Sequence, residues 1–254
     1  TTASEEEDLF RITGTFWHPN IFATFLLSTI PFLFIFKCKN LFINILKILV
    51  FIILIFSYSR TAWFIFFILT IIWLIKEKPI GFSRYKLSKK NIFLLLFFFT
   101  LMLPLLTPFF TRLETIPLAF TEWGSFGVRT KLFQEGWNLF LQFPLTGVGL
   151  NRSLEIYASD PLTDIFKYTR PSSFYKIHNT FLEIATETGI IGFLLFILTI
   201  ISVYVHFFKL KNKPEYKKAA LYGLTGLILM SMLNPFFHTM QIQILFLLSA
   251  IILV

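Results

Sequence analysis

The sequence predicts an all-α polytopic membrane protein with about seven transmembrane helices and one large extracytoplasmic loop that bears short helices. Apolar residues make up 56% of its 254 residues, and charged residues only 15%. A soluble domain usually carries about 25% charged residues, because its surface faces water. Along the chain, apolar runs alternate with short basic segments, as in a helical membrane protein.

Seven apolar runs are predicted to be membrane spans, since a hydrocarbon core of about 30 Å requires roughly 20 helical residues. Pro31 and Pro104 fall inside spans and should kink them, while neighbouring helices satisfy the freed carbonyls. The predicted spans are residues 20–36, 41–57, 61–75, 92–110, 188–208, 219–234 and 238–254.

These spans divide the chain into three parts. Residues 1–110 hold an extracytoplasmic N-terminal segment and four spans, residues 111–187 form an extracytoplasmic cap loop, and residues 188–254 hold three spans. Because the chain starts without Met and stops inside an apolar run, it is expected to be part of a longer protein.

Basic residues are concentrated in the loops after the first, third and fifth predicted spans. These loops lie on one side of the membrane, which the positive-inside rule makes cytoplasmic. The net charge of +9 is therefore interpreted as a topology signal, and no nucleic-acid partner is predicted. The basic residues are Lys37, Lys39, Lys76, Lys78, Arg84, Lys86, Lys89, Lys90, Lys209, Lys211, Lys213, Lys217 and Lys218.

Cysteine and histidine usage excludes two further classes of site. Cys38 is the single cysteine, so an intramolecular disulfide is impossible, and no Cys/His cluster has zinc-site spacing. Neither a metal nor a cofactor is predicted. His18, His206 and His238 are interpreted as structural.

Residues 111–187 are predicted to fold as a cap on the membrane surface, because they are too rich in aromatic residues for a disordered linker. Residues 128–141 show the apolar periodicity of a helix, and Pro144, Gly147 and Gly149 should end that helix in a tight turn. Arg129 on this helix is either simply solvated or part of a binding site.

Arg60 and His178 are further candidate functional residues on the predicted outer side. Arg60 stands between two apolar runs and either snorkels to the interface or binds an anion. His178 can accept a proton from a hydroxyl near neutral pH, although a lone interfacial histidine can equally be structural. A helix over 178–208 would be about 45 Å long, so its first turns should project from the bilayer.

These residues together resemble the O-antigen ligase and O-antigen polymerase family of bacterial membrane glycosyltransferases. The resemblance covers residues 11–200, although Thr61 stands where the family usually has glycine and the family has more spans than this chain. The matching pieces, in order, are Arg11-Ile12-Thr13-Gly14-Thr15-Phe16 with Pro19-Asn20, Ser59-Arg60-Thr61-Ala62, Arg129 with Trp137 and Pro144-x-x-Gly147-x-Gly149, and His178-Asn179 through Glu187-x-Gly189-x-x-Gly192.

The resemblance implies an inverting, metal-independent transfer from a polyprenyl-diphosphate-linked glycan to a glycan, lipid or protein acceptor. The active site would face the periplasm or cell exterior from the bacterial inner membrane. Arg60 and Arg129 would bind the diphosphate, because a guanidinium donates two parallel hydrogen bonds to phosphate oxygens. His178 would be the catalytic base that accepts the proton of the acceptor hydroxyl.

Supporting roles are implied for Asn179, Glu183 and Arg11. Asn179 or Glu183 would orient His178 or bind sugar hydroxyls. Two other function classes stay open at this point. A transporter or lipid flippase is disfavoured, because no inverted repeat or central ionisable residue is evident in the spans. In a non-catalytic membrane subunit, the aromatic cap would instead be a docking surface.

Overall fold

The computed structural model describes residues 12–16, 18–35, 41–77, 114, 117, 120–121, 125–153, 177–235 and 239–254. Within these ranges all regular structure is helical. The helices are α1 (Pro19–Ile35), α2 (Leu41–Phe56), α3 (Arg60–Glu77), α4 (Ser125–Gln142), α5 (Thr180–Lys209), α6 (Glu215–Ser231) and α7 (Met240–Leu253).

Six of these helices coincide with predicted spans, and α4 coincides with the helix predicted over 128–141. The span predicted at 92–110 lies outside the described residues. Helix α6 begins earlier than expected, so Lys217 and Lys218 lie in its first turns and not in a loop. Pro214 at its N-cap needs no backbone N–H there, and Glu215 in the first turn is favoured by the helix dipole.

Among the described helices, α5 alone is long and apolar enough to cross a bilayer by length and composition. Helices α1, α2, α3 and α7 contain shorter apolar stretches. Large apolar side chains nevertheless face outward along α2, α3 and α5, as lipid contact would require. The all-helical prediction is confirmed for the described residues, while seven full spans stay a prediction.

Helices α1 and α6 form the centre of the bundle, with α3 and α7 packed on α6 and α2 packed on α1. Small residues permit this close approach, as is common between membrane helices. Ala23 and Ala220 are completely buried, and a Cβ at Gly223 would collide with the Ser28 carbonyl oxygen of α1. Most of the main apolar core lies around this contact.

Helix α5 is not the single continuous helix from residue 178 that the sequence predicted. It begins at Thr180, because Asn179 adopts an extended N-cap conformation and its Oδ1 accepts a hydrogen bond from the Leu182 N–H at 3.0 Å. It is interrupted at Gly189, where φ is 67° and ψ is −173°. The half before Gly189 packs against α4.

Candidate functional site

The N-termini of α1 and α5 meet at one end of the bundle, which we call the asparagine end after Asn20 and Asn234. Asn20 Nδ2 donates to Asn234 Oδ1 at 3.0 Å. Thr180 Oγ1 at the start of α5 donates to the backbone carbonyl of Asn234 at 2.7 Å. These contacts connect three segments that are distant in sequence.

The junction between α2 and α3 lies at the same end. The N–H of Ile12, seven residues before α1, donates to the carbonyl of Phe56, the last residue of α2, at 3.2 Å. Helix α3 begins four residues later at Arg60. The structure therefore brings Arg60 and the start of α5 to the same end of the bundle.

Asn234 is central to this arrangement and was not identified from the sequence. It is 1% exposed, and its Nδ2 donates to the Met230 carbonyl of α6 at 3.1 Å. The backbone carbonyl of Asn234 accepts the hydrogen bond of the Thr180 hydroxyl. Thr180 lies two residues after His178 and is completely buried. The sequence signal was an amide within an apolar run, since a polar group is costly there without a partner.

His178 is held by its neighbours on both sides while its own side chain is half-buried. Ile177 is completely buried in a small apolar cluster with Leu139 and Leu182. Asn179 on the other side is fixed as the N-cap of α5. The chain on both sides of His178 is thus held in place.

Arg60 is the first residue of α3 and is half-buried. The Ser59 hydroxyl beside it is buried and has no hydrogen-bond partner among the described residues. Tyr58 is buried in a left-handed conformation with φ 49°, and burial raises the pKa of its phenol. A helix N-terminus with an adjacent guanidinium favours an anion.

Arg129 lies on α4, the helix that packs against the first half of α5. It precedes Gly136 by about two turns, or about 10 Å. Thr186 Oγ1 of α5 donates to the Gly136 carbonyl at 3.2 Å, and Ile177 and Leu182 crowd the Gly136 Cα. The structure thus links α4 to α5, while the convergence of all three predicted side chains on one cavity stays a prediction.

The loop after α4 fits into the interruption of α5. We call this contact the interlock; it is formed by residues 144–149 and 186–190. Val148 N–H donates to the Thr186 carbonyl and Gly149 N–H to the Glu187 carbonyl, both at 3.0 Å. Ile190 N–H donates to the Pro144 carbonyl at 2.8 Å. In a continuous helix Ile190 would instead bond to Thr186, so the loop satisfies the groups that the interruption frees.

Glycine is required at both faces of the interlock. Gly147 has φ 68°, and a Cβ there would collide with the Glu187 carbonyl group. A Cβ at Gly189 would collide with the Leu145 carbonyl group. The tight turn predicted after α4 is confirmed, and its glycines serve helix packing in this structure.

Two carboxylates on α5 are buried near the interlock. Glu187 accepts a hydrogen bond from Ser153 Oγ at 2.8 Å, which attaches the chain after the loop to α5. Glu183, in the first turn, is 1% exposed and favoured there by the helix dipole. Ser153 was not identified from the sequence, because a serine in a loop carries no distinctive signal.

The remaining predicted residues have the following positions. Arg11 lies outside the described residues. The side-chain Oδ1 of Asn179 accepts the capping hydrogen bond from Leu182 N–H at the start of α5. Within the described ranges, no group of three His, Cys, Asp or Glu side chains could hold a metal ion.

Removing the Asn234 side chain should destabilise the asparagine end. We expect Asn234→Ala to lower the free energy of unfolding by about 1–3 kcal/mol, because it leaves a buried amide group on α1 without its acceptor. Asn20→Ala should have a similar effect, and the double variant should show a coupling of about 0.5–3 kcal/mol. Thermal unfolding of the detergent-purified variants measures this, and additive losses would contradict a direct interaction.

Comparison with known proteins adds a family assignment for the region that contains these residues. The sequence profile of a family described as O-antigen ligase matches residues 45–197, which is more than half of the chain. The match includes Arg60, Arg129, His178 and the interlock. No curated protein sequence matches the chain significantly.

Proposed function

Because the chain belongs to the O-antigen ligase family, we propose that it transfers an oligo- or polysaccharide from a polyprenyl diphosphate carrier to an acceptor hydroxyl. The reaction would take place on the outer side of the bacterial inner membrane. Family membership supports a membrane protein that transfers glycans. The observation that carries this proposal is the hydrogen-bonded asparagine end, because the start of α3 and the start of α5 lie at this same end of the bundle.

Arg60 is proposed to bind the donor diphosphate together with Arg129. The start of α3 supports this role, because helix N-termini and guanidinium groups both favour phosphate. These fixed donors would stabilise the negative charge that grows on the diphosphate as it leaves.

His178 is proposed to act as the general base. The acceptor oxygen attacks the anomeric carbon of the donor as His178 takes its proton, and the carbon–oxygen bond to the diphosphate breaks. The diphosphate leaves with the bonding electron pair, and attack from the opposite face inverts the anomeric centre. The position of His178 supports this role, since its chain is fixed between the buried Ile177 and the helix cap at Asn179 while His178 itself is only half-buried.

Asn179 and Glu183 are proposed to act through His178. Asn179 begins α5 immediately after His178, so its cap fixes the direction in which the chain enters the helix. Glu183 lies on the buried face of the first turns. A role for Arg11 in donor binding stays a prediction.

The decisive experiment incubates the purified chain with a polyprenyl-diphosphate-linked glycan and separate glycan, lipid and hydroxyl-bearing peptide acceptors. Mass spectrometry should show an acceptor enlarged by the donor glycan, together with released polyprenyl diphosphate. Movement of intact donor across vesicles without a covalent product would instead identify a transporter. Product formation that requires an added partner enzyme, and persists without the arginine and histidine side chains, would identify a non-catalytic subunit.

A further inference from the structure

A cavity lies at the end of the bundle opposite Asn20, between α3, α5 and α6. Its volume is about 360 Å³. Lys76 on its wall is the last-turn lysine of α3, about 24 Å along the helix from Arg60. The cavity is therefore separate from the site proposed for glycan transfer, and we call it the lysine cavity.

The lysine cavity combines three cations with an apolar wall. Lys76, Lys213 and Lys218 line it where α3 ends and α6 begins. Leu69 and Ile72, about two turns and one turn before Lys76 in α3, line the part of the cavity nearer the centre of the bundle. The charged groups thus lie near the helix ends, and the apolar wall continues inward.

Local contacts define the lysine positions. Lys213 Nζ lies 5.6 Å from the centre of the Phe207 ring and 5.9 Å from that of Phe208. Lys218 Nζ lies 3.3 Å from the carboxylate of Glu215. None of the residues that the structure shows lining the cavity is acidic. The lining therefore carries net positive charge.

The inner part of the cavity suits a hydrocarbon chain. Tyr204 and Thr225, which also line it, form a hydrogen bond between their hydroxyl oxygens at 2.8 Å. This pairing satisfies the two hydroxyls within a mostly apolar wall. A ligand with an anionic head and an apolar tail would match both parts of the cavity.

We propose that the lysine cavity binds an anionic phospholipid of the adjacent membrane leaflet. Its phosphate would contact Lys76, Lys213 and Lys218, and one acyl chain would lie along Leu69 and Ile72. Basic pockets between membrane helices are suited to such headgroups. Inorganic phosphate carries the same anionic group as the headgroup, but it has no acyl chain to contact the apolar wall. The site is independent of the proposed glycan transfer.

The test compares two double variants that each remove two positive charges from the same stretch of chain. Lys213→Gln/Lys218→Gln alters the cavity, and Lys209→Gln/Lys211→Gln alters neighbouring lysines outside its lining. Native mass spectrometry of the detergent-purified chain would measure bound phosphatidylglycerol against phosphatidylcholine with identical acyl chains. We expect the parent chain and the control to prefer phosphatidylglycerol, and the cavity variant to bind it about tenfold or more weakly.

Two further measurements distinguish lipid binding in the cavity from general attraction between anionic lipid and positively charged protein. Ile72→Phe should reduce phosphatidylglycerol binding while all lysines are retained, because the larger ring occupies the space proposed for the acyl chain. Inorganic phosphate at matched concentration should not displace the lipid. Equal losses in the two lysine variants, unchanged binding by Ile72→Phe, or displacement by inorganic phosphate would each overturn the proposal.

Discussion

Replacing His178 with alanine is expected to lower the rate of glycan transfer by about 10²- to 10⁴-fold, the usual contribution of a general base. The protein is expected to remain folded, because His178 is only half-buried and precedes the first residue of α5. Initial rates measured by mass spectrometry, together with membrane levels of the variant, provide the test. An abundant variant that transfers glycan at the parent rate would remove His178 from the mechanism.

Two matched variants separate proton transfer from simple positioning. His206→Ala removes an exposed histidine at the other end of α5 and should leave the transfer rate unchanged. Asn179→Ala removes the N-cap, and we expect it to cost about 0.5–2 kcal/mol of stability. If His178→Ala lowered thermal stability as much as Asn179→Ala, its loss of activity would reflect structure rather than chemistry.

Gly147→Ala is expected to prevent the interlock from forming, with a large fall in folded protein. Left-handed backbone strain for a residue other than glycine costs about 1–3 kcal/mol. In addition, the new methyl group would collide with the Glu187 carbonyl group, which cannot move without breaking the contact between loop and helix. Fluorescence-detected size exclusion and the melting temperature of the purified variant measure the effect.

Gly136→Ala is the appropriate control for this prediction, because it adds the same methyl group at the α4–α5 contact. The nearest atom to that methyl would be Ile177 Cδ1 at 2.8 Å, which is the end of a side chain that can rotate. Alanine also favours helix over glycine by about 1 kcal/mol. We expect Gly136→Ala to be much milder, and equal stability of the two variants would contradict the structural role of Gly147.

Some residues of the candidate site could be identified from the sequence, and others could not. His178, Arg60 and Arg129 could be selected because their chemistry and their order resemble a known family. Asn234 could not, because its function depends on Asn20, 214 residues away along the chain. Local patterns contain no information about a partner at that distance.

The interruption of α5 illustrates the same limit. Gly189 follows an N-terminal helical pattern and precedes an apolar run, and a single glycine inside a helix is ordinarily tolerated. The helix is interrupted because the loop over residues 144–149 supplies the hydrogen bonds that the helix gives up. The sequence shows that the turn over residues 144–149 precedes the segment around Gly189, but it does not show that the two are in contact.

The amino-acid sequence by itself determined the helical class, the approximate positions of all seven helices within the described residues, and the lysine-rich ends, because apolar periodicity and clustered charges are local properties. Tertiary structure alone decided the asparagine end, the interlock and the lysine cavity. Each joins segments that are far apart in the chain through hydrogen bonds or close backbone approach. Such contacts depend on how the helices pack, and no single segment specifies them.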